Sequence, residues 1–308
     1  NSVISTSKGG WVVGGSKFIN PENNYDILLI EIDPEGRELW RKTIGGEGRD
    51  QLESIQKTKD GRFILSAAKT ENGWETPWIL LTTSNGDTLW TRSFPGTGNG
   101  SIEAAIESHD GSFILAGSEN DNWNESTEYP IDLVIRKLAS DGSTIWTWKY
   151  GGDITHVWPE WVEETKDGDI VIVGAICEPC SPLQRNYQTN FDAFIVKLSS
   201  EGDALWTRRL GGNENDLAYF MQISERNTYI IGGSTSSHDG PDDAPWIFEL
   251  NQNGEIIWSR ILPSSFPRNG VAQIGELNEN EYLITGPPWL YQREGNQDLW
   301  ILKLKRNK

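Results

Sequence analysis

Three glutamates recur at one position. Glu53, Glu103 and Glu160 each stand eight residues before the glycine of an Asp-Gly pair, at Gly61, Gly111 and Gly168. In two further segments the matching positions are Tyr219 and Ala272, and three residues earlier Asp50 and Asp216 occupy equivalent places. Carboxylates gathered at one level suit a hard cation such as Ca²⁺. A crowded pair would also raise one carboxyl pKa and supply general acid/base chemistry. The competing expectation is structural, since repeated Asp and Glu also accept hydrogen bonds from nearby backbone amides.

A second group lies at 156–161, where His156, Trp158, Glu160 and Trp161 fall close together. Trp74, Trp123 and Trp289, with Tyr25, Tyr129, Tyr187 and Tyr291, stand in polar stretches. Rings presented from polar segments suit stacking on sugars or capture of apolar ligand parts; packing against their own segment is the alternative. Cys177 and Cys180, the only cysteines, form a lone Cys-x-x-Cys. Two of the ligands of a structural zinc site are lacking. Redox versions open a helix, whereas this pair follows a strand-like run. A local disulfide is expected, and with it an oxidising compartment, extracellular or periplasmic.

The elements that hold these residues are repeats. Gly-x-x-x-Trp occurs at Gly36/Trp40, Gly86/Trp90, Gly142/Trp146, Gly202/Trp206 and Gly254/Trp258. Each copy follows an alternating apolar run, at 26–32, 78–81, 132–138, 192–198 and 246–250, and a sixth run stands at 298–304. A further set of short apolar runs begins at 10, 61, 111, 168, 228 and 281. β-branched and aromatic runs bounded by Gly, Asp and Asn read as strands. Asp-Gly turns supply the positive φ of tight hairpins.

Labelling the strands of one unit A to D, with the Trp on D, gives six units: 1–45, 46–95, 96–151, 152–212, 213–263 and 264–308. Four-stranded antiparallel units repeated radially make a propeller. The expectation is an all-β chain, one six-bladed β-propeller domain over 1–308, with a three-stranded last blade because no Gly-x-x-x-Trp follows 298–304. The five repeated Trp are read as wedges between blades.

The segment containing Asp192, Phe194, Lys197, Leu198, Gly202, Trp206, Leu210, Gly211, Gly212, Asp216, Tyr229, Gly232, Gly233, Ser234 and Thr235 resembles a unit of the bacterial β-propeller repeat family. That family has the pattern D-x-F-V-x-K-L, G-x-x-x-W, L-G-G, D, Y-V-x-G-S-T. More distantly, the repeats are similar to those of propellers that bind pyrroloquinoline quinone, although no cofactor signature accompanies them here. The resemblance runs along nearly the whole chain and implies fold; propellers host many activities.

Composition narrows the function. The formal net charge of −18 repels phosphate backbones and anionic lipid heads, arguing against nucleic-acid and membrane-surface partners. No apolar run approaches the ~20 residues needed to span a bilayer. Position 1 leads almost directly into a strand-like segment, so the chain is expected to be either cytosolic or stripped of a leader. No phosphate-binding glycine loop or Gly-x-Ser-x-Gly occurs, and three His give a serine triad little support.

In this strand order the A–B and C–D turns share one end of each blade. The B–C and D–A connections share the other, with B–C loops expected at 16–25, 68–77, 118–131, 175–191, 234–245 and 287–297. Insertions on one face of a repeat protein mark its binding face. The expected function is a monomeric, secreted or periplasmic module that recognises a glycan, peptide or protein through that face. No cofactor beyond Ca²⁺ is implied. The alternatives are a carbohydrate-active enzyme using Glu53, Glu103 and Glu160, carboxylates on A strands expected to line the mouth of a central channel, and a scaffold in a surface assembly.

Overall fold

The computed structural model describes residues 2–7, 9–20, 24–71, 73–96, 99–120, 131–180, 190–238, 243–263, 270–286 and 300–306. It divides into two compact units, 1–159 and 160–308. Among the described residues, every regular element is a strand.

In the first unit, sheet 1 contains β1 (Ser2–Ser5), β2 (Trp11–Asn20), β3 (Asn24–Ile32) and β4 (Glu38–Ile44). Sheet 2 contains β5 (Asp50–Lys57), β6 (Phe63–Glu71), β7 (Trp74–Thr82) and β8 (Thr88–Ser93). Sheet 3 contains β9 (Gly100–Glu107), β10 (Phe113–Glu119), β11 (Asp132–Leu138) and β12 (Thr144–Tyr150). Strand β13 (His156–Glu164) runs from the end of this unit into the next and pairs in sheet 4 with β14 (Ile170–Cys177), β15 (Asp192–Leu198) and β16 (Ala204–Leu210). Sheet 5 contains β17 (Asp216–Ile223), β18 (Tyr229–Thr235), β19 (Ala244–Leu250) and β20 (Ile256–Ile261). Sheet 6 has three strands, β21 (Gln273–Asn278), β22 (Glu281–Gly286) and β23 (Trp300–Lys305). All six sheets keep chain order from edge to edge.

One turn geometry explains the recurring glycines. In the turn after β3, Asp33 N–H donates to Arg37 O at 2.9 Å and Gly36 N–H to Asp33 O at 2.9 Å, with Gly36 at φ 81°. The same pair of bonds closes the turns around Gly9, Gly61, Gly86, Gly111, Gly142, Gly168, Gly202 and Gly254. A type I turn followed by a left-handed residue is the three-residue hairpin loop, and the last position favours glycine. In the turn of sheet 5, Asn227 takes that place at φ 60°, a conformation Asn tolerates better than most residues.

Four of the repeated Trp, Trp40, Trp90, Trp206 and Trp258, are wedges between successive sheets. Trp90 meets Phe113 of the next sheet edge-on at 5.7 Å, and its indole N–H donates to Ser140 O at 3.1 Å. A Cβ on Gly142 would lie 3.1 Å from the Trp90 ring, so the glycine of one Gly-x-x-x-Trp makes room for the Trp of the preceding copy. Trp40 with Gly86, and Trp206 with Gly254, repeat this fit. Around the wedges the apolar faces close into cores, such as Val12, Ile27 and Leu29 of sheet 1 against Leu52, Phe63 and Leu65 of sheet 2. In the second unit, Val171, Val173 and Ile195 pack with Met221, Tyr229 and Phe248. Each such fully buried side chain is worth about 1.5–3 kcal/mol of transfer free energy.

Two of the expected long loops are strands. Over 68–77, β6 and β7 continue in register until Glu71 faces Trp74, and Gly73 reverses the chain at φ 85°. The Asn72-Gly73 pair is the strongest short hairpin signal, and it converts the supposed loop into a hairpin tip. Over 16–25, β2 and β3 likewise pair out to Asn20 and Asn24.

Candidate functional site

Two of the aligned glutamates, Glu53 and Glu103, sit on β-bulges. The register of β5 on β6 jumps between Leu52 and Ser54, leaving Glu53 as the extra residue. On β9 the jump leaves out Glu103, and on β17 it leaves out Tyr219. A bulge inserts one residue unopposed by the partner strand and re-aims its side chain. The position marked in sequence by glutamate, glutamate and tyrosine is therefore one geometric feature, repeated on first strands.

Each bulged group has its own surroundings. Glu53 is half-buried; burial raises its pKa, with the Glu75 charge adding and Arg49 opposing. Glu103 accepts hydrogen bonds from the hydroxyls of Ser101 and Ser118, the latter at 3.0 Å. Tyr219 bonds Ser234 Oγ at 3.1 Å, and burial is the main reason its hydroxyl is pushed up to about 12. The charges of Glu160 and Asp243 add to that rise. A Cβ on Gly270 would come within 2.5 Å of the Tyr219 ring, so backbone closes over this tyrosine.

Glu160, on β13, is exposed, yet protein crowds it enough that desolvation pushes its carboxyl up to about 7. The adjacent Trp161 packs on Phe220 at 4.7 Å between ring centroids, and its indole N–H donates to Glu163 at 3.4 Å. Glu163 Oε2 also accepts the Ile223 amide at 3.1 Å, tying β13 to β17. Trp158 is 47% exposed, and its ring stands 5.4 Å from that of His156. His156 is itself buried, which drops its pKa to about 4 and keeps it neutral near pH 7.

Other expected residues fall elsewhere. Trp74 begins β7 rather than projecting from a loop. Trp123, Trp289, Tyr129, Tyr187 and Tyr291 lie outside the described residues. Asp50 and Asp216 each accept a backbone amide four residues earlier, from Gly46 and Gly212, at 2.7 Å in both cases. Among the described residues, no three Asp, Glu, His or Cys side chains converge to hold a metal ion. Cys177 and Cys180 are joined in a disulfide, with their Cα atoms 5.4 Å apart. A small recess of about 50 Å³, lined by Glu31, Lys57, Phe63 and Ser84 among others, opens at the tight-turn end of sheets 1 and 2.

No family model matches the sequence, and no curated protein matches it. Solved structures do. The polysaccharide lyase Uly1 superposes with a TM-score of 0.56 at 13% identity, over 100% of this chain and 79% of the lyase. A PL25 ulvan lyase bound to -[GlcA(1-4)Rha3S]- gives 0.56 at 11% identity, over 92% and 78%. BBS1N, in complex with ARL6DN, gives 0.55 at 10% identity, over 99% and 77%. These are β-propeller-like proteins with repeated four-stranded sheets. This chain shares that fold. Identities this low carry the fold alone.

Proposed function

We propose that the six sheets are the blades of one six-bladed propeller, and that the protein is a binding module for a neutral or basic glycan. The observation that carries the reading is the exposed Glu160 carboxyl, crowded by protein, with Tyr219 close enough to feel its charge. Trp158, exposed two residues earlier on β13, offers a ring on which a sugar stacks. The similar structures include enzymes of glycans and a protein-binding module, and a propeller serves both. The net charge of −18 argues against a sulfated uronate chain like that held by the ulvan lyase. Secretion or export to the periplasm fits the disulfide of Cys177 and Cys180.

A glycan array followed by calorimetry on any hit tests this. Trp158→Ala and Glu160→Gln are expected to weaken binding tenfold or more, and Glu47→Gln on an exposed turn should leave it unchanged. Absence of any hit, or wild-type affinity in both site variants, would overturn the reading.

A second reading is a carbohydrate-active enzyme. It is favoured by the Glu160 carboxyl, whose pKa of about 7 suits a general acid or base at neutral pH. Release of reducing ends from the bound glycan, abolished in Glu160→Gln, would select it over binding alone.

A further inference from the structure

Two places in the chain share one unusual arrangement. In the first unit, Asn24 Nδ2 donates to Gly46 O at 3.3 Å and Gly46 N–H donates to Asp50 Oδ2 at 2.7 Å. In the second unit, Asn190 Nδ2 donates to Gly212 O at 3.2 Å and Gly212 N–H to Asp216 Oδ2 at 2.7 Å. Each asparagine is followed two residues later by an aspartate, Asp26 or Asp192, and alternate residues of a strand share a side.

The two carboxylates of each place meet over one glycine. A Cβ on Gly45 would lie 2.3 Å from Asp26 Oδ1 and 2.8 Å from Asp50 Oδ2. On Gly211 it would lie 2.1 Å from Asp192 Oδ1 and 2.6 Å from Asp216 Oδ2. A side chain at either position would push these carboxylates aside; glycine lets the two negative groups approach each other. Like charges so placed repel unless a proton or a cation lies between them.

The oxygens left over point to a cation. Asn24 Oδ1, Asp26 Oδ1, Asn190 Oδ1 and Asp192 Oδ1 are all buried and have no hydrogen-bond partner among the described residues. Asp192 is only 6% exposed, and its other oxygen takes Arg209, so the orphan is an oxygen of a held side chain. The asparagine amides are fixed by their carbonyl acceptors, so each Oδ1 faces away from the glycine carbonyl as an acceptor. A buried acceptor without a donor costs roughly 1–3 kcal/mol, and the same two are orphaned in both places.

A third place in the repeat serves as a control. Val157 N–H donates to Ile131 O at 3.0 Å, just as Asp216 N–H donates to Phe191 O at 2.6 Å, so Val157 stands where Asp216 stands. There the glycine amide, from Gly152, goes to Asp132 Oδ1 at 3.0 Å. One carboxylate is thus enough to hold the Gly-Gly turn. The second carboxylate and the asparagine in the other two places are surplus to the fold.

We propose that Asn24, Asp26 and Asp50, and separately Asn190, Asp192 and Asp216, each bind one Ca²⁺-class divalent cation through oxygen ligands. The two carboxylates of the first place match its charge; in the second, Arg209 offsets part of the charge of Asp192 and leaves its Oδ1 as a ligand. Ca²⁺ accepts the irregular 6–8 oxygen shells that side chains, backbone and water complete here, whereas Mg²⁺ demands a near-ideal octahedron. The inference is independent of glycan binding.

Calorimetric titration of chelator-treated protein with CaCl₂, and with MgCl₂ in parallel, is the test. Wild type is expected to take up two equivalents of Ca²⁺, at least tenfold tighter than Mg²⁺, with a rise in Tm. Asp26→Asn and Asp192→Asn are each expected to leave one equivalent, and the double variant none. Asn24→Ala and Asn190→Ala remove no charge, and each should weaken one site; they serve if an aspartate variant does not fold. No uptake by wild type, or two equivalents retained in the double variant, overturns the proposal. Wild type that takes up no Ca²⁺ but gains Tm on mild acidification, a gain lost in the double variant, would show carboxylates sharing a proton instead.

Discussion

Arg226 reaches Glu249 at 3.2 Å, reversing the sign of the pair found at the same position in sheet 3. There, Lys137 on the third strand meets Asp110 of the first turn at 2.9 Å; in sheet 4 the equivalent Lys197 instead meets Asp169, the last residue of its turn, at 2.8 Å. Glu249 is fully buried and also binds Arg306 at 2.8 Å, Thr228 Oγ1 and the indole N–H of Trp258.

Removing one member of such a buried network strands the others. Glu249→Ala is expected to cost about 3–5 kcal/mol in urea unfolding. Glu249→Lys combined with Arg226→Asp should be more stable than Glu249→Lys alone, because it restores the arrangement of Lys137 and Asp110 in sheet 3. A double variant no better than the single one would show that Arg306 dominates the site.

The wedge role of Trp206 has a measurable size. Its ring stands 6.1 Å from that of Tyr229, its N–H donates to Gln252 O at 2.9 Å, and Arg208 lies over it at 5.3 Å. It is half-buried, so Trp206→Ala is expected to cost about 2–3 kcal/mol, below the ~3–5 of a fully buried Trp. Trp158→Ala, at an exposed ring, should change unfolding by less than about 0.5 kcal/mol.

Two groups set opposing pH dependences. Glu160 rises from 4.5 to about 7 on folding, so between those values the native state holds a proton the unfolded chain has lost. That contribution to stability falls as pH rises through the window. His156 drops from 6.5 to about 4, so the unfolded chain holds the extra proton and stability rises with pH over 4–6.5. Glu160→Gln should therefore leave a stability that climbs between pH 4 and 6.5, and His156→Gln one that declines between pH 4.5 and 7. Chemical denaturation across pH 4–8 separates them; parallel profiles for both variants would refute the assignment.

The disulfide closes a short loop. Replacing Cys177 and Cys180 by serine is expected to cost about 2 kcal/mol from loop-closure entropy alone, and reduction with dithiothreitol should match it.

Much of the fold was legible because its signals are local. Apolar alternation marked the strands, and the positive-φ glycines marked nine of ten equivalent turns, Asn227 filling the tenth. The equal spacing of Glu53, Glu103 and Tyr219 from their turns was legible too. Its cause was not, because a bulge exists only in the register between two strands. The hairpin that Gly73 turns is hidden for a different reason, namely that the polar residues around it read as loop. Asp50 and Asp216 were marked as ligands by position. Their amide bonds, and the orphaned oxygens of Asn24 and Asn190, depend on contacts across sheets that no spacing shows.

The repeated five-residue turn bears on how the chain organises itself in time. Every strand pairs only with its immediate neighbours in the chain. Hairpins of this kind close in about 1–10 μs, and a topology of short-range pairings shortens the conformational search. Each sheet can therefore assemble as its residues leave the ribosome, before the next has been synthesised.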